Sequence, residues 1–167
     1  SGFETHWKFH VDAADLETLR RDGRVRVALE NPHLYNVFVN GAAVDAAAGE
    51  GWLDETIKAA PCGEHLVAGE NTVRVVAPRF RPLCEIDRVY MLGDFGVFPA
   101  EPGWRMGTER NLGFGNWAER GLAHYDQRVV YKSTVRLDRE GGVEIRLGEW
   151  SGACVLVRVG RQERLVY

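Results

Sequence analysis

Aromatic side chains beside polar ones carry most of the chemistry this sequence offers. Trp52 stands close to Asp54, and Trp104, Trp117, His124 and Tyr125 fall in or beside a glycine-rich stretch farther along. A pyranose exposes C–H bonds on one face and hydroxyls around its edge. A site for it needs an aromatic surface with carboxylates, amides or guanidiniums alongside. Trp52 with Asp54, and Trp117 with His124 and Tyr125, meet that requirement and are the candidate ligand-binding residues. Each has a structural alternative. Tryptophans can plug the end of a sheet packing, and the alternation of Trp7 with Phe9 assigns Trp7 to that role. Asp54 can cap backbone amides as a turn residue.

Other chemistries find less support. Hydrolysis of a glycosidic bond needs two carboxylates about 5–10 Å apart. Asp54, Glu55, Glu85, Asp94, Glu109 and Glu119 stand in loop-like segments, but with 24 Asp and Glu residues in the chain no spacing selects a pair. No catalytic residue is assigned. His6 and His10 share one face of a strand, roughly 13 Å apart by the strand rise, too far to hold one metal. The 3 cysteines show no metal-ligand spacing, so no metal and no cofactor are expected. Cys62 and Cys84 could pair, while Cys154, inside an apolar run, reads as a buried strand residue.

The elements that must position these residues are short and extended. Trp7, Phe9 and Val11 alternate with polar neighbours, the period of a half-buried strand. Residues 13–21 have helical composition but read as a loop or a single helical turn. Residues 24–29, 35–39, 42–44, 72–77 and 85–92 read as strands. Asn40-Gly41 is a two-residue hairpin signal. Val25, Val27, Leu29, Val37, Val39, Val73 and Val75 should face inward. Residues 129–137, 143–147 and 153–159 read as further strands, with another starting near residue 164. Val143, Ile145, Leu147, Val155 and Val157 repeat the spacing of Val25, Val27, Leu29, Val37 and Val39. The chain therefore reads as one complete β unit and the first half of another, a piece of a longer protein. Three or four strands alone leave an open edge and an uncovered face, so a homodimer is one way to cover them.

The bounds agree with a folded β protein. The chain has 167 residues, 45% hydrophobic and 27% charged, which disfavours disorder. A net charge of -3 and a pI near 6.0 give no basic field for nucleic acid. No apolar run approaches the roughly 18 residues a membrane helix requires.

Two ordered signatures resemble the galactose-binding-like jelly-roll modules of large glycoside hydrolases. The first is Val37-Phe38-Val39-Asn40-Gly41, then Trp52 and Asp54, then Gly69-Glu70-Asn71-Thr72-Val73. The second is Gly121-Leu122-Ala123-His124-Tyr125, then Val130-Tyr131-Lys132, similar to the opening of the sugar-binding domain in β-galactosidase, β-glucuronidase and rhamnosidase-like enzymes. Ala123 stands where that pattern has proline, and Gln127 where it has glycine. The resemblance implies an all-β fold: a jelly-roll β-sandwich over residues 3–98, a connecting segment over 99–121, and a partial second β-sandwich unit over 122–167. It implies a non-catalytic module that binds carbohydrate weakly or buttresses the catalytic domain of its parent chain, whose carboxylates sit in a separate barrel. The alternative is a structural or protein-interaction sandwich with no sugar ligand.

Overall fold

The computed structural model describes residues 1–108, 112–125, 127–138 and 141–167. They form two compact units, Ser1–Gln127 and Arg128–Tyr167.

The first unit is mostly β. Its strands are β1 (Phe3–Val11), β2 (Arg26–Glu30), β3 (Asn36–Val39), β4 (Ala42–Val44), β5 (Glu50–Trp52), β6 (Asp54–Pro61), β7 (Gly69–Ala77), β8 (Tyr90–Leu92), β9 (Gly96–Pro99) and β10 (Trp104–Gly107), with the α-helix α1 (Ala13–Arg20) after β1 and short 3-10 turns in the connections. A 6-stranded sheet runs β4-β3-β7-β1-β10-β9, and a 4-stranded sheet runs β5-β6-β2-β8. The two lie in a sandwich-like arrangement. β1 and β7 pair antiparallel from end to end, Phe3 opposite Ala77 and Val11 opposite Gly69. β10 joins β1 in parallel at His10 and Val11.

The alternation seen in the sequence is the cause of the core. Val25, Val27, Leu29, Val37, Val39, Val73 and Val75 are all buried in one apolar cluster with Val11, Leu66 and Met106. Each such side chain removed from water contributes about 1.5–3 kcal/mol. Cys62 is buried there too, and burial pushes its thiol up to about 12, so it stays a protonated apolar group. Cys62 and Cys84 are both free.

Asn40 and Gly41 occupy the hairpin between β3 and β4 with φ of 49° and 85°, and Val39 faces Ala42 across it. A β-branched side chain is strained in that left-handed region. Gly41→Val is expected to lower stability by about 1 kcal/mol or more. Coincident denaturant midpoints for variant and wild type would remove the assignment.

The two asparagines of the first signature meet. Asn40 Nδ2 donates to Asn71 Oδ1 at 2.7 Å and to the His65 carbonyl at 2.8 Å, while Asn40 Oδ1 accepts from Thr72 N at 2.9 Å. Asn71 is fully buried. Its Oδ1 also accepts from Val67 N at 2.9 Å, and its Nδ2 donates to the carbonyls of Val67 at 2.8 Å and Gly69 at 3.0 Å. A buried amide with both ends satisfied is tolerated where an unpaired one is not. The clasp ties the β3–β4 hairpin to the turn entering β7.

Several sequence expectations are corrected. Residues 13–20 form a true helix, not a loop or single turn. Short helices draw stability from tertiary contact rather than propensity. Here Leu19 enters the core, and the Asp15 carboxylate accepts hydrogen bonds from the backbone N–H and the hydroxyl of Thr108. The strand expected over 85–92 is reduced to Tyr90–Leu92. Before it, the Tyr35 hydroxyl accepts from Glu85 N at 2.9 Å and donates to the Glu85 carbonyl at 3.2 Å, holding the chain off the sheet. Ile86 is exposed. Trp7 is exposed rather than a buried plug. It faces Val73 across the ladder, but β10 accompanies β1 only at His10 and Val11, so among the described residues the other edge beside Trp7 has no strand pairing.

The second unit holds a hairpin, β11 (Val155–Val159) and β12 (Gln162–Val166), in a sheet of 2 strands. Its turn falls at Gly160-Arg161, between the strand expected over 153–159 and the one expected to start near residue 164. The expected strands over 129–137 and 143–147 are not formed among the described residues. Val135, Leu137, Val143, Ile145 and Leu147 are exposed. Alternation supplies a face, but a strand also needs a neighbour for its backbone groups. Cys154 is exposed and precedes β11 instead of lying buried within it.

Candidate functional site

The outer face of the 4-stranded sheet carries an aromatic roof. Val27 and Leu29 point into the core, so Ala28 between them points outward. Its ladder partners, Ala59 on β6 and Tyr90 on β8, share that face. Outward-facing alanines should be wet, yet Ala28 is 0% and Ala59 1% exposed. Tyr90 is the ladder partner of Ala28, and its neighbour in space is Trp52. Their rings meet edge to face with centroids 5.2 Å apart and planes inclined at 63°. β6 and β2 lie between the strands that carry them, so the rings must reach toward each other over small residues. Both remain half-buried. At the margin, Arg26 Nη1 donates to Glu50 Oε2 at 3.3 Å, and Glu50 faces Ala59 in the ladder. An apolar ring surface bordered by a guanidinium and a carboxylate is chemically suited to a pyranose.

Asp54 sits opposite Trp52 across a register shift in the β5–β6 pairing, with Leu53 between them at φ 63°. Its Oδ1 accepts from Thr56 Oγ1 and Thr56 N, both at 2.7 Å, and from Ile57 N at 3.1 Å. The Thr56 hydroxyl, followed by the Thr56 amide, holds its carboxyl below the usual range. The side chain thus caps the start of β6.

A second group of aromatic residues lies farther along the first unit. His124 packs edge to face on Trp104 of β10, centroids 4.6 Å apart and planes at 65°. Tyr125 follows it, exposed. Trp117 is half-buried, and its carbonyl accepts from Arg120 N at 3.0 Å and Leu122 N at 2.9 Å, closing a tight turn. Gly121 of the second signature has a steric task. Its φ is 89°, and the Phe98 ring lies only 2.7 Å from where a β-carbon would stand, so no side chain fits there.

Of the carboxylates considered for hydrolysis, Asp54 and Glu55 are neighbours on β6, and the other described ones lie on other segments. Glu85 is held through its backbone by Tyr35. Asp94 borders a small cavity with Thr18 and Arg24, and Glu119 accepts from Asn116 at 3.0 Å. Glu109 lies outside the described residues. Among the described residues no group of 3 or more His, Cys, Asp or Glu could hold a metal ion. None of their helices is long and apolar enough to cross a membrane. A cavity of about 50 Å³ opens at one end of the sandwich between Phe3, Leu29, Tyr35, Val75 and Ile86. It is lined by none of Trp52, Asp54, Trp117, His124 and Tyr125.

Sequence reasoning identified Trp52 but missed Tyr90 as its partner. Tyr90 read as one apolar residue of a strand, and only the sheet order brings it to Trp52. Comparison with protein-family models, with curated proteins and with solved structures finds no match.

Proposed function

We propose that this chain is a non-catalytic, galactose-binding-like jelly-roll module of a glycoside hydrolase, which contacts glycan through the Trp52–Tyr90 surface or buttresses the catalytic domain of its parent. The observation that carries the reading is the half-buried aromatic pair over Ala28 and Ala59, with Arg26 and Glu50 beside it. A sugar stacks on a ring and hydrogen-bonds at its edge, so both kinds of group must be adjacent. Trp104 and His124 form a second, smaller ring pair in the same unit, with Tyr125 next in sequence and exposed. The order of the two sequence signatures supports the glycosidase context.

A structural or interaction module with no sugar ligand is the competing reading. It is favoured by a specific observation: Asn40, Asn71 and Asp54, three polar residues of the first signature, are engaged in hydrogen bonds that stabilise turns. On that reading the roof docks against protein. The exposed apolar residues of Arg128–Tyr167 would likewise be covered by the parent's catalytic domain or a second copy.

Titration with mono- and oligosaccharides, followed by tryptophan fluorescence and heteronuclear shifts, separates the two. A weak, saturable response is expected, because few rings are covered and ordering costs must be met. Trp52→Ala should weaken it about tenfold, equivalent to about 1.4 kcal/mol. Silence up to the solubility limit of the sugars would leave the structural module standing.

A further inference from the structure

We infer that Asn40 is a deamidation site that the native fold holds closed, so that loss of the fold converts the hairpin irreversibly. Asn followed by Gly is the pairing most open to this chemistry, because glycine has no side chain to shield its nitrogen. The Gly41 nitrogen, after giving up its proton, attacks Asn40 Cγ. A C–N bond forms, the Cγ–Nδ2 bond breaks, and the amide nitrogen leaves as ammonia. Water then opens the cyclic imide at either carbonyl, giving aspartate or isoaspartate. Nothing is oxidised or reduced, and water is the only co-reactant.

The folded protein ties down the Asn40 carboxamide at both its nitrogen and its oxygen. Asn40 Nδ2, the leaving group, has two acceptors, the His65 carbonyl at 2.8 Å and Asn71 Oδ1 at 2.7 Å. Asn40 Oδ1 accepts from Thr72 N at 2.9 Å, and the backbone N–H of Asn40 donates to the Thr72 carbonyl at 2.9 Å. The carboxamide cannot turn its carbon onto the Gly41 nitrogen without breaking these bonds. In the unfolded chain none of them exists.

The product does not fit the place the amide leaves. A carboxylate at residue 40 would set oxygens against the His65 carbonyl and Asn71 Oδ1, where two donated hydrogen bonds stood. Asn71 cannot adapt by rotating its amide, because its oxygen also serves Val67 N and its nitrogen serves the carbonyls of Val67 and Gly69. Isoaspartate would in addition insert a carbon into the turn backbone. The hairpin therefore records any period spent unfolded.

The test uses the whole chain without substitution. Samples are held at mildly alkaline pH, folded and in urea, and the peptide spanning residue 40 is followed by mass and by isoaspartate-specific methylation. Conversion is expected to be about tenfold faster or more in urea, as for any reaction gated by local opening. Equal rates in the two states would overturn the inference. Urea is then removed from the converted sample. A denaturant midpoint clearly below that of unconverted protein is expected, with Asn40→Asp lowered in the same direction. A converted chain that recovers the original midpoint would overturn the claim of irreversible damage.

Discussion

Val27→Asp is expected to abolish the folded state of the first unit. Val27 is 0% exposed. It lies on β2 opposite Ala60 of β6 on one side and Met91 of β8 on the other, so the strand cannot shift to release it. A carboxylate there meets the apolar residues of the core cluster. An unpaired buried charge costs several kcal/mol even when the group protonates to escape it. Domains of this size are stable by only about 5–15 kcal/mol, and the substitution also deletes the apolar contribution of the valine. The cooperative thermal transition seen by circular dichroism should disappear or fall to a far lower temperature. A soluble variant melting with wild type would refute the placement of β2.

Asn71→Ala should come next in severity, although the residue is polar. The fully buried amide accepts from Asn40 and Val67 and donates to the carbonyls of Val67 and Gly69. Truncation leaves those partners facing a void too enclosed to hydrate them freely. Each unsatisfied buried group costs about 1–3 kcal/mol, and a combined loss of about 3 kcal/mol or more is expected. Asn40→Ala should cost less, since Asn40 is exposed overall. The double variant should lose less than the two single losses together, because the bond between them can be removed only once. Urea unfolding of the four proteins measures this. Additive losses would mean that the two asparagines stabilise the fold independently.

That cycle bears directly on function. The Asn-Gly and Gly-Glu-Asn signatures suggest sugar recognition by resemblance, yet their asparagines hydrogen-bond each other. Their joint occurrence is explained by a turn that must be clasped. On the proposed reading, any glycan contact falls to the surface where Trp52 meets Tyr90.

The sequence by itself determined whatever depends on local period and turn chemistry. Strict alternation marked the inward residues of β2, β3 and β7, since a period of two can bury one side of a strand only one way. Asn40-Gly41 announced its turn because few residue pairs accept positive φ in succession. Where alternation was imperfect, as over residues 85–92, or unsupported by a neighbouring strand, as over 129–137 and 143–147, the sequence pattern overstated the strands. A side-chain face is local, whereas a hydrogen-bonded ladder requires a partner from elsewhere in the chain. Only the tertiary structure decided the site. Tyr90 reaches Trp52 because β6 and β2, carrying Ala59 and Ala28, lie between them. His124 meets Trp104 because β10 brings Trp104 to it. Asp54 caps the start of β6 because Thr56 and Ile57 offer three donors to one of its oxygens. Sheet order and the competition for hydrogen-bond partners are properties of the folded whole, and no spacing along the chain encodes them.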